Sequence, residues 1–385
     1  MVFKEFNKTH HCLKTAFILL LLVVVFFMIL PRCVKDKNSI ERGKEITLRL
    51  KPSEGNPRNS EGDFIQLKDG KILFIYTHFT AGSGDHANAY LCGRFSSDGG
   101  RNWTKDDVVI LPNEGEMNIM SVSLLRLADS SIALFYLRKN SEKDCLPMMR
   151  ISIDEAQTWS QAKPCVDFPG YFVLNNDRAV QLTKGRIILP LALHATDQSP
   201  WSEKAQILCF YSDDNGRSWS RSQFASNPEA ITLQEPGVVQ LTNGKLLMFC
   251  RTDVGAQFFS YSSDNGETWS DFQMGNIKSP MSPASIERIP KTGDLLVVWN
   301  NNYEPGEKGG GKRTPLNLAL SHDDGKNWEI IKTLQNDPDG WYCYTAIEWL
   351  TDHILLGYCA GNRKKASGLE TTFIARLDYG WIYRD

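Results

Sequence analysis

Several carboxylates, guanidinium groups and one tyrosine fall in segments of this 385-residue chain that its repeating pattern leaves unexplained. Asn56-Pro-Arg58-Asn-Ser-Glu61-Gly-Asp63 comes first, followed by the loop Ala81-Gly-Ser-Gly-Asp85-His86. Leu233-Gln-Glu235-Pro-Gly leads into an apolar run that ends at Arg251. Arg313-Thr-Pro-Leu and Tyr342-Cys-Tyr344-Thr form the third group. Carboxyl groups transfer protons, and arginine offers a carboxylate planar, permanently charged, bidentate donors. Each residue also has a plainer reading. Arg251 and Arg313 suit ion pairs at strand ends, Tyr344 suits packing beside Trp341 and Tyr342, and Asp85 suits a turn in a glycine-rich loop. Asn118-Ile-Met-Ser121 and Asn175-Asn176-Asp177-Arg178 break the pattern as well, and either line a pocket or bond hairpin ends. His86 and His194 show no partner pattern.

The elements that must position these groups are read from two repeats. The phrase Ser-x-Asp-x-Gly-x-x-Trp begins at Ser96, Ser152, Ser212, Ser262 and Ser321, with Ala156 in place of glycine in the second copy. Glycine supplies the turn's backbone freedom, aspartate bonds the amides that follow it, and tryptophan plugs the hydrophobic layer between strands. At Ala156 a strained or altered turn is expected. Between the phrases lies an apolar strand, a tight turn and a second apolar strand, as in Gln66-Leu-Lys-Asp-Gly70-Lys-Ile-Leu-Phe and Gln240-Leu-Thr-Asn-Gly244-Lys-Leu-Leu-Met. Asp-Gly and Asn-Gly between apolar runs signal hairpins. Six hairpins and five phrases predict an all-β, six-bladed β-propeller over residues 46–385, its last blade lacking the phrase. Glu45–Leu50 is expected to pair with Phe373–Leu377 and close the ring, which leaves only short, protected edges.

Composition narrows the function. Net charge is −2 with no long like-charge run, so no footprint for nucleic acid exists. Seven of nine cysteines fall in the repeat region without metal-type spacing, so neither a metal nor a cofactor is expected. Cys209, Cys250 and Cys359 read as small core residues, whereas Cys145 and Cys165 flank one phrase and are candidates to pair. Residues 1–14 form a short basic tail, 15–31 an apolar signal anchor or signal peptide, and 32–45 a charged linker. Either reading of 15–31 makes the propeller extracytoplasmic, membrane-anchored or secreted.

The five phrases resemble the Asp boxes of the sialidase (neuraminidase) superfamily, as BNR-repeat proteins carry them. Glu235-Pro-Gly-Val-Val-Gln-Leu-Thr-Asn-Gly-Lys-Leu-Leu-Met-Phe-Cys-Arg251 is similar to the segment that carries the base glutamate and the second of three carboxylate-binding arginines. Arg313 resembles the third arginine, Tyr344-Thr-Ala-Ile the segment of the nucleophilic tyrosine, and Asp85 the loop acid/base. Arg58 stands where the first arginine would be, but Asn-Ser-Glu follows it instead of the usual Ile-Pro. That puts Glu61 and Asp63 where they would alter substrate choice. The resemblance implies a retaining exo-glycosidase of exo-α-sialidase type acting on sialylated or other acidic glycans. Tyr344 would attack with Glu235 as its base, because a neutral phenol escapes the repulsion an anionic nucleophile meets beside the sugar's carboxylate. Asn118, Asn176, Asp177 and Arg178 are further pocket candidates. The competing expectation is a membrane-tethered propeller that binds glycans or proteins without catalysis.

Overall fold

The computed structural model describes residues 43–303 and 311–383, all within one compact unit. The basic tail, the apolar run 15–31 and most of the linker lie outside the described residues. Among the described residues no helix is long and apolar enough to cross a membrane. The described residues are all-β apart from a turn of 3₁₀ helix at Arg363–Lys365 and a short α-helix at Tyr379–Tyr383.

Strands pair with their sequence neighbours to give four sheets of four strands and one of nine. The nine-stranded sheet consists of two consecutive strand sets joined by a single parallel pairing, Tyr171 with Cys145. This arrangement is consistent with a β-propeller. All six anticipated hairpins form, including Arg58–Gln66 with Ile72–Phe79 and Leu233–Gln240 with Leu246–Thr252. In four of them glycine takes the left-handed backbone as foreseen, with Gly70 at φ 84° and Gly244 at φ 83°, and in the second hairpin Ser130 takes it at φ 70°. The second strands Ile72–Phe79 and Ile187–Ala195 are buried along their whole length, packed on both faces by neighbouring sheets. Burial of each large apolar side chain there contributes about 1.5–3 kcal/mol.

The recurring phrase folds alike in every copy. Ser96 Oγ donates to Asp98 Oδ1 at 2.9 Å and accepts from Gly100 N at 2.9 Å, while Asp98 Oδ1 accepts from Asn102 N at 2.9 Å. Glycine is needed for approach as well as for φ. A Cβ on Gly100 would lie 2.7 Å from Leu355 of another sheet, and one on Gly216 would lie 2.5 Å from Met149 of the other strand set in the nine-stranded sheet. The tryptophans therefore wedge between neighbouring strand sets rather than only between strands, as Trp219 does against Phe135 at 6.2 Å. Ala156 keeps the geometry unaltered, its N donating to Ser152 Oγ at 2.8 Å, at the cost of a left-handed φ of 65°. The strand Lys44–Leu50 pairs antiparallel with Thr372–Asp378, so the first strand completes the last sheet as anticipated. Cys145 and Cys165 do not pair; both are buried free thiols, as are the five other described cysteines.

Strand direction sorts the repeat turns and the chemical groups to opposite ends. Each first strand runs towards its hairpin turn, the second returns, and the third runs back to end in the Ser/Asp/Gly/Trp turn. Hairpin turns and box turns thus share one end of the sheets. Arg58, Asp85, Glu235, Arg251, Arg313 and Tyr344 all lie at the other end, at strand starts, strand ends and intervening loops.

Candidate active site

One device places the chemical groups. In four sheets the first strand carries one extra residue at the same register: between Ser60 and Asp63, Met120 and Ser123, Gln234 and Gly237, and Cys343 and Ala346. Such bulges kink a strand and re-aim a side chain. The residue at each bulge is left-handed although it is not glycine: Glu61 (φ 54°), Ser121 (59°), Glu235 (52°) and Tyr344 (57°). A non-glycine residue held there costs about 1–3 kcal/mol, a strain that clusters at functional sites. Asn176 shows that the bulges converge, since its Nδ2 donates to Gly62 O at 3.0 Å and to Tyr344 O at 3.1 Å.

Tyr344 donates its hydroxyl to Glu235 Oε1 at 2.9 Å. Burial, with the Glu235 charge beside it, pushes the phenol well above its ordinary pKa, although Arg251 and Arg313 oppose this. The phenol is therefore neutral and in contact with a base. Arg251 Nη1 lies 2.9 Å from Glu235 Oε2 as a charge contact without an aligned hydrogen bond. Its other nitrogens hold Gln234 Oε1. Arg313 lies over the rings of Trp341 and Tyr344, at 4.8 and 5.7 Å. It donates to Met281 O at 3.2 Å, and its buried Nε has no hydrogen-bond partner among the described residues. Arg251 and Arg313 thus present unaligned guanidinium donors beside the tyrosine.

Arg58 differs. Its Nε donates to Ser60 Oγ at 2.8 Å, Nη1 to Ser83 O at 3.0 Å and Asp85 Oδ1 at 2.6 Å, and Nη2 to Glu61 Oε1 at 3.0 Å. It also lies 4.4 Å over the Phe79 ring and is only 1% exposed. Glu61 accepts a second hydrogen bond from Ser121 Oγ at 3.0 Å. Burial raises the Glu61 carboxyl; Arg58 opposes the shift, and Asp85 and Glu235 add to it. The Asp85 loop is held by Asn118 Nδ2 on Asp85 O and Ala87 O, both at 2.9 Å, and by Lys139 Nζ on Asp85 O at 2.8 Å. Desolvation alone would raise the Asp85 carboxyl, but Arg58 outweighs it and holds the group below the usual carboxylate range.

Three anticipated pocket residues are not in this group. Asp63 accepts from Phe64 N and Leu124 N at 2.7 Å each, Asp177 accepts from Ile347 N at 2.9 Å, and Arg178 donates to Ala284 O at 2.6 Å. They tie first strands of different sheets together. With Glu287 and Glu348 they line a separate cavity of about 790 Å³ that reaches the hairpin-turn end. The reason is the bulge: alternation would put Asp63, two residues past Glu61, on the same face, but the extra residue between Ser60 and Asp63 breaks the alternation and Asp63 faces the other cavity.

Sequence reasoning passed over Lys139, Tyr171, His194 and Trp201. His194 stacks on Trp201 at 4.3 Å, Tyr171 meets the same ring edge-on at 4.9 Å, and Lys139 lies 5.4 Å over Tyr171. Burial lowers the His194 pKa, against the Ser202 carbonyl and the Glu235 charge. The signal for Lys139 was a charge at the end of an otherwise apolar hairpin strand, where Arg251 also stands. His78, Cys92 and Asp107 come within 4.8 Å of one another in the first sheet. There Asp107 already holds Arg94 at 2.5 Å and Tyr76 at 2.5 Å, so a guanidinium fills the place a cation would take.

Fold and site together define a repeat-built β protein with Asp-box turns at one end and a polar, strained site at the other. The chain belongs to the BNR repeat-like domain family, whose model matches residues 93–355, and it is a sialidase-like BNR repeat protein. It is 27% identical over 286 residues to an anhydrosialidase of Macrobdella decora, covering 67% of this chain and 36% of that protein. A sialidase of Paraclostridium sordellii is 27% identical over 248 residues, covering 56% and 58%. The chain therefore spans roughly a third to three fifths of the length of these relatives. The solved structure of an intramolecular trans-sialidase from Ruminococcus gnavus superimposes with a TM-score of 0.66 at 14% identity, covering 88% of this chain and 98% of that one.

Proposed function

We propose that the protein is an exo-glycosidase of exo-α-sialidase type, built as a six-bladed propeller in which the nine-stranded sheet counts as two blades. The observation that carries this reading is the Tyr344–Glu235 hydrogen bond at 2.9 Å beside two arginines with donors to spare. Glu235 takes the phenolic proton as the Tyr344 oxygen bonds to the anomeric carbon of a terminal acidic sugar. Asp85 donates a proton to the leaving glycosidic oxygen, then takes one from the water that releases the sugar from Tyr344. Arg251 and Arg313 receive the sugar's carboxylate by charged hydrogen bonds worth about 1.5–3 kcal/mol each. These proton transfers and the nucleophilic attack need no cofactor.

The test is a fluorogenic sialoside with the Tyr344→Phe variant. Turnover should fall by about 10³-fold or more, while affinity for a sialic-acid-like transition-state analogue persists. Unchanged turnover would remove Tyr344 from the reaction. The commitment of Arg58 to protein partners favours a second reading, a propeller that binds acidic glycans without cleaving them. Binding of the analogue with no hydrolysis by the intact protein would select it. The proposal includes residues 15–31 as a membrane anchor or signal segment and an extracytoplasmic location. Recovery of the full chain in the soluble cytoplasmic fraction would refute that part.

A further inference from the structure

We propose that Arg58 is a positioning residue that holds Asp85 and Glu61, and that a substrate carboxylate is received by Arg251 and Arg313 alone. This rests on the glycosidase reading above.

Geometry carries the inference. Four hydrogen bonds already occupy the Arg58 fork, to Ser60, Ser83, Asp85 and Glu61, and the guanidinium is sandwiched against Phe79. At 1% exposure, Arg58 meets a ligand carboxylate only by turning from these partners: from Ser83 and Asp85, which would free the acid it orients, or from Glu61, which is itself only 5% exposed and would be left buried with one neutral donor, Ser121. A buried carboxylate stripped of its charged partner is strongly disfavoured. Asp85 has the opposite character. Its side chain is 58% exposed on a glycine-rich loop, and it is gripped by Arg58 at 2.6 Å. A buried, fixed cation gripping an exposed carboxyl orients that carboxyl. Arg251 and Arg313 show the contrasting pattern, with buried guanidinium nitrogens that make no aligned hydrogen bond among the described residues.

Asp85 also faces Lys139, whose Nζ bonds its carbonyl, His86 beside it in sequence, and the Glu61 and Tyr171 side chains. Of these, Arg58 makes the direct side-chain contact. Positioning through Arg58 should therefore appear in proton transfer, and should depend on how much the leaving group needs a proton.

The experiment compares Arg58→Lys with Arg251→Lys in the full chain. Sialyllactose supplies a poor leaving group, and a 4-methylumbelliferyl sialoside supplies one that departs without help. For Arg58→Lys, kcat on sialyllactose should fall about 100-fold and on the activated sialoside by less than about tenfold, with KM and affinity for a 2,3-dehydro sialic acid analogue within about threefold of wild type. Arg251→Lys should raise KM and weaken the analogue on both substrates. Loss of analogue affinity in Arg58→Lys equal to that in Arg251→Lys, with both leaving groups affected alike, overturns the inference. Glu61→Gln keeps Arg58 and Asp85 in place, and should lower kcat with analogue affinity unchanged; a loss of affinity counts against the inference.

A readout independent of turnover is the titration of the Asp85 carboxyl followed by carbon NMR. Its pKa should rise in Arg58→Gln and hold in Arg251→Gln; no rise in Arg58→Gln refutes the positioning role even if the wild type cleaves no sialoside. A wild type that neither binds the analogue nor cleaves either substrate defeats the glycosidase reading instead. The NMR titration still decides the Arg58 contact.

Discussion

The bulges at Glu235 and Glu61 occupy the same register in different sheets, share a left-handed backbone and each place a buried carboxylate beside an arginine. They differ in where the arginine comes from. Arg251 reaches Glu235 from the neighbouring strand, opposite Gln234, and makes an unaligned contact, which leaves Glu235 to bind Tyr344. Arg58 reaches Glu61 from three residues earlier on the same strand, with Ser60, Ser83 and Asp85 completing its bonds. One local conformation thus gives an under-satisfied pair suited to chemistry and a satisfied pair suited to holding geometry. Backbone strain alone does not identify a reactive group; unspent hydrogen-bonding capacity beside it does.

The sharpest way to break this comparison is to neutralise each carboxylate in turn. Glu235→Gln removes the carboxylate in contact with Tyr344 and, on the proposed mechanism, should cost about 10²–10⁴-fold in kcat. Glu61→Gln should cost less, so equal losses would erase the distinction between the two bulges. Stability should run the other way. Glu61→Ala leaves Arg58 short of a buried partner and should lower the unfolding free energy by about 3–5 kcal/mol in denaturant titration. Glu235→Ala should cost markedly less, because sites kept under-satisfied for function carry a stability deficit.

Beyond the bulges the contrast extends to pH. Asp177 is pushed up to about 6 and Glu348 to about 7, both by burial first; Asp177's own partners oppose the shift, while Glu348 is further raised by the Asp177 charge. Such groups bind protons more tightly folded than unfolded. Their contribution is present below the unfolded carboxylate range and is lost as pH rises through 6 to 7. The thermal midpoint should therefore be higher at pH 5 than at pH 8, and Glu348→Gln should flatten that slope. Turnover of poor leaving groups should also favour acid, because Asp85, held low by Arg58, is rarely protonated at neutral pH. The smallest effect expected is from Ser121→Ala, which removes one hydrogen bond from Glu61 and should cost about 0.5–1.5 kcal/mol without altering KM.

Much of the scaffold was legible in the chain because its signals are local. Asp-Gly and Asn-Gly turns, the Ser/Asp/Gly/Trp phrase and the apolar runs between them specify hairpins whose partners are adjacent in sequence. Even the distant pairing of Lys44–Leu50 with Thr372–Asp378 was foreseeable, since a ring needs a strand to finish it. That Tyr344, Glu235, Arg251 and Arg313 would be neighbours was also readable, from motif and spacing.

Tertiary structure alone decided how those groups divide. The left-handed residues at the bulges are Glu, Ser, Glu and Tyr, none of which announces positive φ as glycine would. A single inserted residue then reverses which face every later side chain meets, sending Asp63 into the far cavity while Glu61 turns to Arg58. Asp177 and Arg178 join it for a related reason: their partners, Ile347 and Ala284, lie on other sheets. Sequence determined which chemical groups the molecule owns and which sheets carry them. Which of those groups keep hydrogen-bonding capacity for a ligand depends on contacts between sheets distant in sequence, and only packing around a common axis fixes those.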